Sequence, residues 1–253
     1  MNRARLRRLI AGPLAGGGGA AFSPLSLSPA QWFDFSDISS LFQDAARTTP
    51  VTADGEKIGG IADKSGNGKH ASQATDGNRQ TYKTSVQNGK SAVLCDGVAN
   101  HRYAHNLTLG AKACTLFFAI SIDAQAGYRG IYSSDGDGSA NETNVFSKMS
   151  ANNWGTYGAG ADRPANSNIQ SAGWKLLTVS RVAAGTGTFY LNGVADGTFA
   201  NSQGQSSTGH LGGGLGYSQE IAGYVGEVLV FSRTLSDVER QAVEAYLTSK
   251  WDF

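Results

Sequence analysis

The stretch 173-GWKLLTVSRVAAGTGTFYLNG-193, followed at 224–251 by YVGEVLVFSRTLSDVERQAVEAYLTSKW, decides the fold. In the first part Trp174, Leu176, Thr178 and Ser180 alternate with Lys175, Leu177, Val179 and Arg181. Apolar side chains stand on both faces, as in a strand covered from both sides. Asn192-Gly193 then separates two strand-like runs, the strongest short-range hairpin signal. In the second part a strand over GEVLVF gives way to a single convincing helix. Ser236 and Glu239 form an S-x-x-E capping box, each satisfying a free backbone N–H of the first turn. Val238, Ala242, Val243, Tyr246 and Leu247 fall on one apolar stripe, which must bury against a sheet.

Working outward, QTYKTS, SAVLCD, CTLFFAISI, RGIYSS and NVFSKM repeat the same theme. Each is a short β-branched or aromatic run between clusters of Gly, Asn, Asp and Ser. Many strands, Gly-rich turns and one late helix predict an all-β fold: a two-sheet antiparallel jelly-roll sandwich with a short C-terminal helix. The 253 residues suit one such domain. Only 16% are charged, and 34 are glycine. Four of the 21 basic residues, Arg3, Arg5, Arg7 and Arg8, fall in the first eight positions, leaving the remainder slightly acidic against 20 Asp and Glu. The body therefore carries no basic footprint for nucleic acid. No run of about 18 apolar residues exists to span a membrane. Cys95 and Cys114 each lie in a strand-like run and read as buried thiols, since a count of two implies no disulfide.

Residues 1–28 read as a separate segment, with the domain at 29–253. The basic start, Pro13 and the run Gly16–Gly19 fit a flexible, anchoring arm. The same basic, weakly apolar and small-residue order also resembles a secretory signal.

The chemical motifs fail one by one. DKSGNGKHA at 63–71 has a lysine after a glycine, but Asp63 stands where a phosphate loop needs its first glycine, and His70 where it needs a hydroxyl. Asp63 and Asn67 can bond local backbone while Gly66 and Gly68 admit positive φ, so the segment reads as a tight turn. Asp63 is also a weak candidate to touch a cation at the sandwich rim. No G-x-S-x-G elbow or H-E-x-x-H occurs. His101 and His105 share a strand face without a third ligand nearby, and read as surface residues. None of the six glutamates has Asp two residues later, as jelly-roll glycanases carry theirs, and Glu227 reads as a lone structural or edge carboxylate. No enzyme is expected.

Two stretches suit binding. In SSDGDGSANETN, Asp135, Asp137, Ser139 and Asn141 present oxygens at alternate positions. That is the pattern of a weak calcium or sugar site, or of a solvated turn. Calcium is the only cofactor the sequence suggests. In NNWGTYG, Asn152, Asn153, Trp154 and Tyr157 combine amides with aromatic rings, as a sugar-stacking surface does. Core placement of both rings fits equally.

GWKLLTVSRVAAGTGTFYLNG, HLGGG and YVGEVLVFSRTLSDVERQAVEAYLTSKW resemble, in order, the second half of concanavalin A-like (laminin-G-like) jelly-roll domains. WFDFSDISSLFQD, ADKSGNGKHASQ and GKSAVLCDGVANHRY resemble the first half. Cys95, and VANHRY after Asp96-Gly97, depart from the family pattern at its calcium site. The segment GGGGAAFSPLSLSPAQWFDFSDISSLFQDAARTTPVTADG is similar to the start of jelly-roll proteins of tailed bacteriophages. The resemblance implies a non-enzymatic virion component, repeated as a homo-oligomer on the particle, with other virion proteins and host-surface glycan as partners. The alternative it implies is a secreted carbohydrate-binding module or glycan-active enzyme.

Overall fold

The structure is a computed structural model. It describes residues 22–107, 109, 113–133, 144–149, 152–158, 161–171, 173–183, 185–201, 209–213 and 219–253. In chain order the strands are β1 (Gln31–Asp34), β2 (Leu41–Phe42), β3 (Lys57–Ile58), β4 (Gly60–Ile61), β5 (Ala71–Ser72) and β6 (Gln80–Gln87). There follow β7 (Lys90–Asp96), β8 (Tyr103–His105), β9 (Cys114–Ile122), β10 (Arg129–Ser133), β11 (Asn144–Lys148) and β12 (Gly155–Gly158). The last are β13 (Ala161–Pro164), β14 (Lys175–Arg181), β15 (Gly185–Leu191), β16 (Val194–Asn201), β17 (Gly209–Leu211) and β18 (Ala222–Phe231), and one helix, α1 (Asp237–Trp251), closes the chain.

They form two antiparallel sheets. One runs β16-β15-β14-β9-β18-β7-β6-β3, with β1 also paired to β18. The other runs β13-β12-β11-β10-β17-β8-β5-β4-β2. The period-2 alternation of β9 shows how the first sheet is used. Leu116, Phe118, Ile120 and Ile122 enter the main core between the sheets. Phe117 and Ala119 face the other way, into a second core with Leu176, Leu229 and Phe231. Helix α1 covers that second core with Val243, Leu247 and Trp251, all fully buried. Val243 and Leu247 each contribute on the order of 1.5–3 kcal/mol through that burial. The all-β sandwich, the hairpin at Asn192-Gly193 between β15 and β16, the two-sided burial of β14 and the Ser236/Glu239 capping box are all present.

One sequence expectation changes. The helix does not bury Val238, which is 77% exposed. Its inner face is Arg240, Val243, Glu244, Leu247 and Trp251, because Arg240 and Glu244 form a buried ion pair at 2.6 Å that lets charged residues face the sheet. Pro24–Leu27 is a 3-10 turn capped by Ser23, Pro24 is buried, and the Phe22 ring lies 6.3 Å from that of Tyr246. Pro24 and Leu27 thus pack on the domain, while Arg3, Arg5, Arg7 and Arg8 lie outside the described residues. Cys95 and Cys114 are free, buried thiols.

Candidate functional site

The residues singled out for sugar stacking form a corner of the core. Trp154 is fully buried, 5.0 Å from the Phe189 ring, and its indole N–H donates to Asp196 Oδ2 at 2.7 Å. A fully buried ring presents no open face to a sugar, and in this structure Trp154 serves the core. Asn153 spends its amide on the carbonyls of Ala165 and Asn166. Asn152 holds a tight turn at φ 63°, its N–H donating to Met149 O. Tyr157 is half-buried, with its ring 6.4 Å from Phe146. Asp135 and Asp137 lie outside the described residues.

Asp63 organises its turn. Oδ1 accepts the N–H groups of Trp32 and Ser65 at 2.9 Å each. Oδ2 accepts the Ser65 hydroxyl at 2.7 Å and the Lys69 N–H at 2.9 Å. With both oxygens taken by donors, a cation there would have to displace protein hydrogen bonds. Among the described residues no group of three or more His, Cys, Asp or Glu is gathered as a metal site. His105 is not a surface residue either. It is buried, stacked at 4.8 Å on Tyr132, with Nε2–H donating to Ser133 O.

The structure does bring two carboxylates together. The register of β1 on β18 sets Asp34 directly opposite Glu227. Lys250, from the last turn of α1, inserts between them, at 2.8 Å from Asp34 Oδ1 and 2.7 Å from Glu227 Oε2. Lys64 adds a second ion pair to Asp34 at 2.9 Å. Glu227 Oε1 accepts from the Trp32 indole and the Tyr246 hydroxyl, and Oε2 from the Trp251 indole. Burial pushes Asp34 up, but Lys250 and Lys64 outweigh it and hold the carboxyl below its ordinary value. Burial and the facing Asp34 push Glu227 up against the pull of Lys250. Glu227 is thus structural but not alone. The pair is only 4% and 1% exposed and tied to a lysine, which anchors α1 to the sheet and denies access to a sugar.

Beside this anchor lies an open groove of about 530 Å³. Three aromatic rings form a stack at its edge. Trp251 stacks on Trp174 at 4.8 Å and 12°, and Trp174 lies 6.4 Å and 24° from Tyr224. Trp174 and Tyr224 line the groove and are half-buried. Gly226 makes the stack possible. It sits where the β18–β9 register shifts, between Val225 and Glu227. A Cβ there would lie 2.6 Å from Trp251 Cζ2 and 2.7 Å from Trp174 Cζ3, closer than real atoms approach. The far end of Trp251 is held through its indole N–H by Glu227, and its backbone carbonyl accepts from Gln87 Nε2 at 2.8 Å. Asp54, Lys83, Thr84, Gln87 and Ser121 also line the groove. A backbone bond from Thr84, with Lys83 beside it, holds the Asp54 carboxyl below its ordinary value. Half-buried rings in one groove with amides, hydroxyls and an ion pair can hold a ligand with one apolar face and polar edges.

The family model described as the concanavalin A-like lectin/glucanases superfamily matches residues 96–239, more than half of the chain. The chain belongs to this superfamily. Among solved structures, this concanavalin A-like chain is similar to domain 4 of AbnA, an extracellular arabinanase from Geobacillus stearothermophilus, in complex with arabinotriose. The identity is 13%, the TM-score 0.60, and the match covers 87% of this chain and 98% of that one. It is also similar to the Trypanosoma rangeli sialidase, at 14% identity and TM-score 0.60, over 96% of this chain and 35% of the sialidase. The binding domain of Paraclostridial Mosquitocidal Protein 1 matches at 12% identity and TM-score 0.55, over 89% and 53% of the two chains. At these identities the likeness concerns the fold. No curated protein matches the sequence.

Proposed function

We propose that this concanavalin A-like domain is a non-enzymatic glycan-binding module, and that the Trp174–Tyr224 groove is its binding site. The observation that carries the reading is the ring stack over Gly226, which presents half-buried aromatic faces beside hydroxyl and amide groups. Pyranose rings pack their C–H faces on such surfaces while their hydroxyls bond the polar edge. The arabinotriose complex of AbnA domain 4 is consistent with a sugar ligand on this fold. Most glycoside hydrolases use a pair of carboxyl groups flanking the scissile bond. Asp54 is the one carboxylate among the described groove residues, and its pKa is lowered, which suits a structural acceptor rather than a general acid. The order of a basic, Gly-rich segment before one sandwich supports display on a bacteriophage particle, with the domain turned to host glycan and the arm to other virion proteins.

A glycan array with the full chain, Trp174→Ala and Tyr224→Ala tests the site. Binding by the wild type, with loss in both variants and little change in the Tyr224→Ala melting temperature, is expected. Wild-type failure to bind, or unimpaired variants, overturns it. On a polysaccharide panel the expected release of reducing ends is nil, and turnover would overturn the non-enzymatic reading. Mass spectrometry of purified particles tests the virion placement, which absence of the chain would sink.

A further inference from the structure

We infer that the groove selects an uncharged glycan, an inference that rests on the glycan-binding reading above. Its charged groups are already spent on one another, while several neutral hydrogen-bonding groups are not. Lys83 Nζ lies 3.0 Å from Asp54 Oδ2, and these two are the ionisable Asp, Lys, Arg, Glu or His side chains among the described lining residues. Asp54 Oδ1 also accepts the Thr84 N–H at 2.8 Å and its hydroxyl at 3.3 Å. Lys175, at the start of β14, turns its ammonium to the carbonyls of Ser171 and Gly173.

An anionic sugar would gain Lys83 but meet Asp54 beside it, and would lose its own hydration. A cationic amino sugar would meet Lys83 and find Asp54 already occupied. Neither sign of charge is favoured, because the attraction and repulsion act at similar range and cancel. By contrast, the Ser85 and Ser121 hydroxyls and Gln87 Oε1 make no hydrogen bond among the described residues, although Gln87 Nε2 is committed to the end of α1. Ser85 is also held at φ 53°, within a register shift of β6 on β7 that falls between Lys83 and Gln87. A non-glycine residue in that backbone region is uncommon and costs energy that the surrounding ladder must supply. The distortion is located at the groove wall that carries the unpaired hydroxyl. Unpaired neutral donors and acceptors, a cancelled ion pair and an aromatic platform are complementary to the hydroxyls and C–H face of a neutral pyranose.

Matched pairs of oligosaccharides differing only in a sialic acid or uronate, titrated against the full chain, test this. The neutral member is expected to bind at least about tenfold more tightly, a difference of roughly 1.4 kcal/mol. Its affinity is expected to hold steady as salt is raised, since screening acts only on charge. Asp54→Ala leaves Lys83 unopposed and is expected to raise affinity for the acidic member. Equal or tighter wild-type binding of the acidic member, still lost in Trp174→Ala, overturns the charge inference and leaves the groove reading standing. Unchanged acidic-member affinity in Asp54→Ala likewise overturns the part assigned to the ion pair. No binding of either member, or binding indifferent to Trp174→Ala, overturns the groove reading and this inference with it.

Discussion

Asp63 shows how one short side chain fixes a long loop. Its two oxygens receive four donors, from Trp32, Ser65 and Lys69, and so join the turn to β1. Lys64, next to it, then lies 4.7 Å over the Trp32 ring and reaches Asp34. Replacing Asp63 by Ala strands buried or half-buried N–H groups, each costing about 1–3 kcal/mol when left without an acceptor. Asp63→Ala is therefore expected to lower the unfolding free energy by that order at least and so to shift the denaturation midpoint down, with glycan affinity unchanged at saturating folded protein. An unaltered midpoint would contradict the structural role. This turn was legible in the sequence because Asp, Asn and Gly act on backbone a few residues away. Trp154 was not. Its burial depends on Phe189 and Asp196, dozens of positions distant, and an aromatic beside Asn and Gly looks the same whether a second sheet lies over it or not.

At the scale of elements, α1 is both a lid on the second core and a strut for the groove. Its start was readable from Ser236 and Glu239, because a capping box is local. Its inner face was not, because hydrophobicity alone selects Val238 over Arg240. The structure reverses this choice: Arg240 stacks 3.9 Å from the Tyr190 ring and pairs with Glu244, which accepts from Thr178. The Trp251–Trp174–Tyr224 stack was hidden for a related reason, since its three rings come from α1, the residue before β14 and β18. At the far end Lys250 separates Asp34 from Glu227. Removing one partner from a buried ion network leaves the others uncompensated, typically at a cost of about 3–5 kcal/mol. Lys250→Met is expected to destabilise the domain on that scale, less wherever a carboxyl takes up a proton. Adding Glu227→Gln is expected to restore part of the loss, since one of the two facing charges is then removed. The near-ultraviolet circular dichroism of the stacked tryptophans should report whether Trp251 keeps its place. A Lys250→Met variant as stable as wild type would overturn the anchoring role.

For the whole molecule, buried imidazoles set the response to acid. Burial, with His210 nearby, lowers the His105 pKa to about 3, and burial, with Arg102, lowers that of His210 to about 4. Burial and Arg47 lower that of His70 as well. The geometry at His105 explains the direction: Nε2–H donates to Ser133 O while Nδ1 faces the Leu107 N–H at 3.4 Å, so a second proton would point at a donor. The unfolded chain takes up these protons near 6.5, whereas the folded chain refuses them down to about 3 and about 4. The unfolded state therefore binds more protons in this window, and stability falls as pH falls through it. Glu227 acts in the opposite sense, because its raised pKa means the fold takes up a proton first. Comparison with a variant separates the two. Urea midpoints of the wild type and His105→Gln, measured at intervals from neutral pH to pH about 4.5, keep most carboxylates ionised. The wild type should lose stability with a limiting slope of about 1.4 kcal/mol per pH unit for each excluded proton. His105→Gln should be less stable at neutral pH, because it disturbs a filled core, yet show a shallower slope by up to that one-proton amount. Equal slopes would mean that His105 is protonated in the fold as readily as in the open chain, and would overturn the assignment of a neutral imidazole stacked on Tyr132.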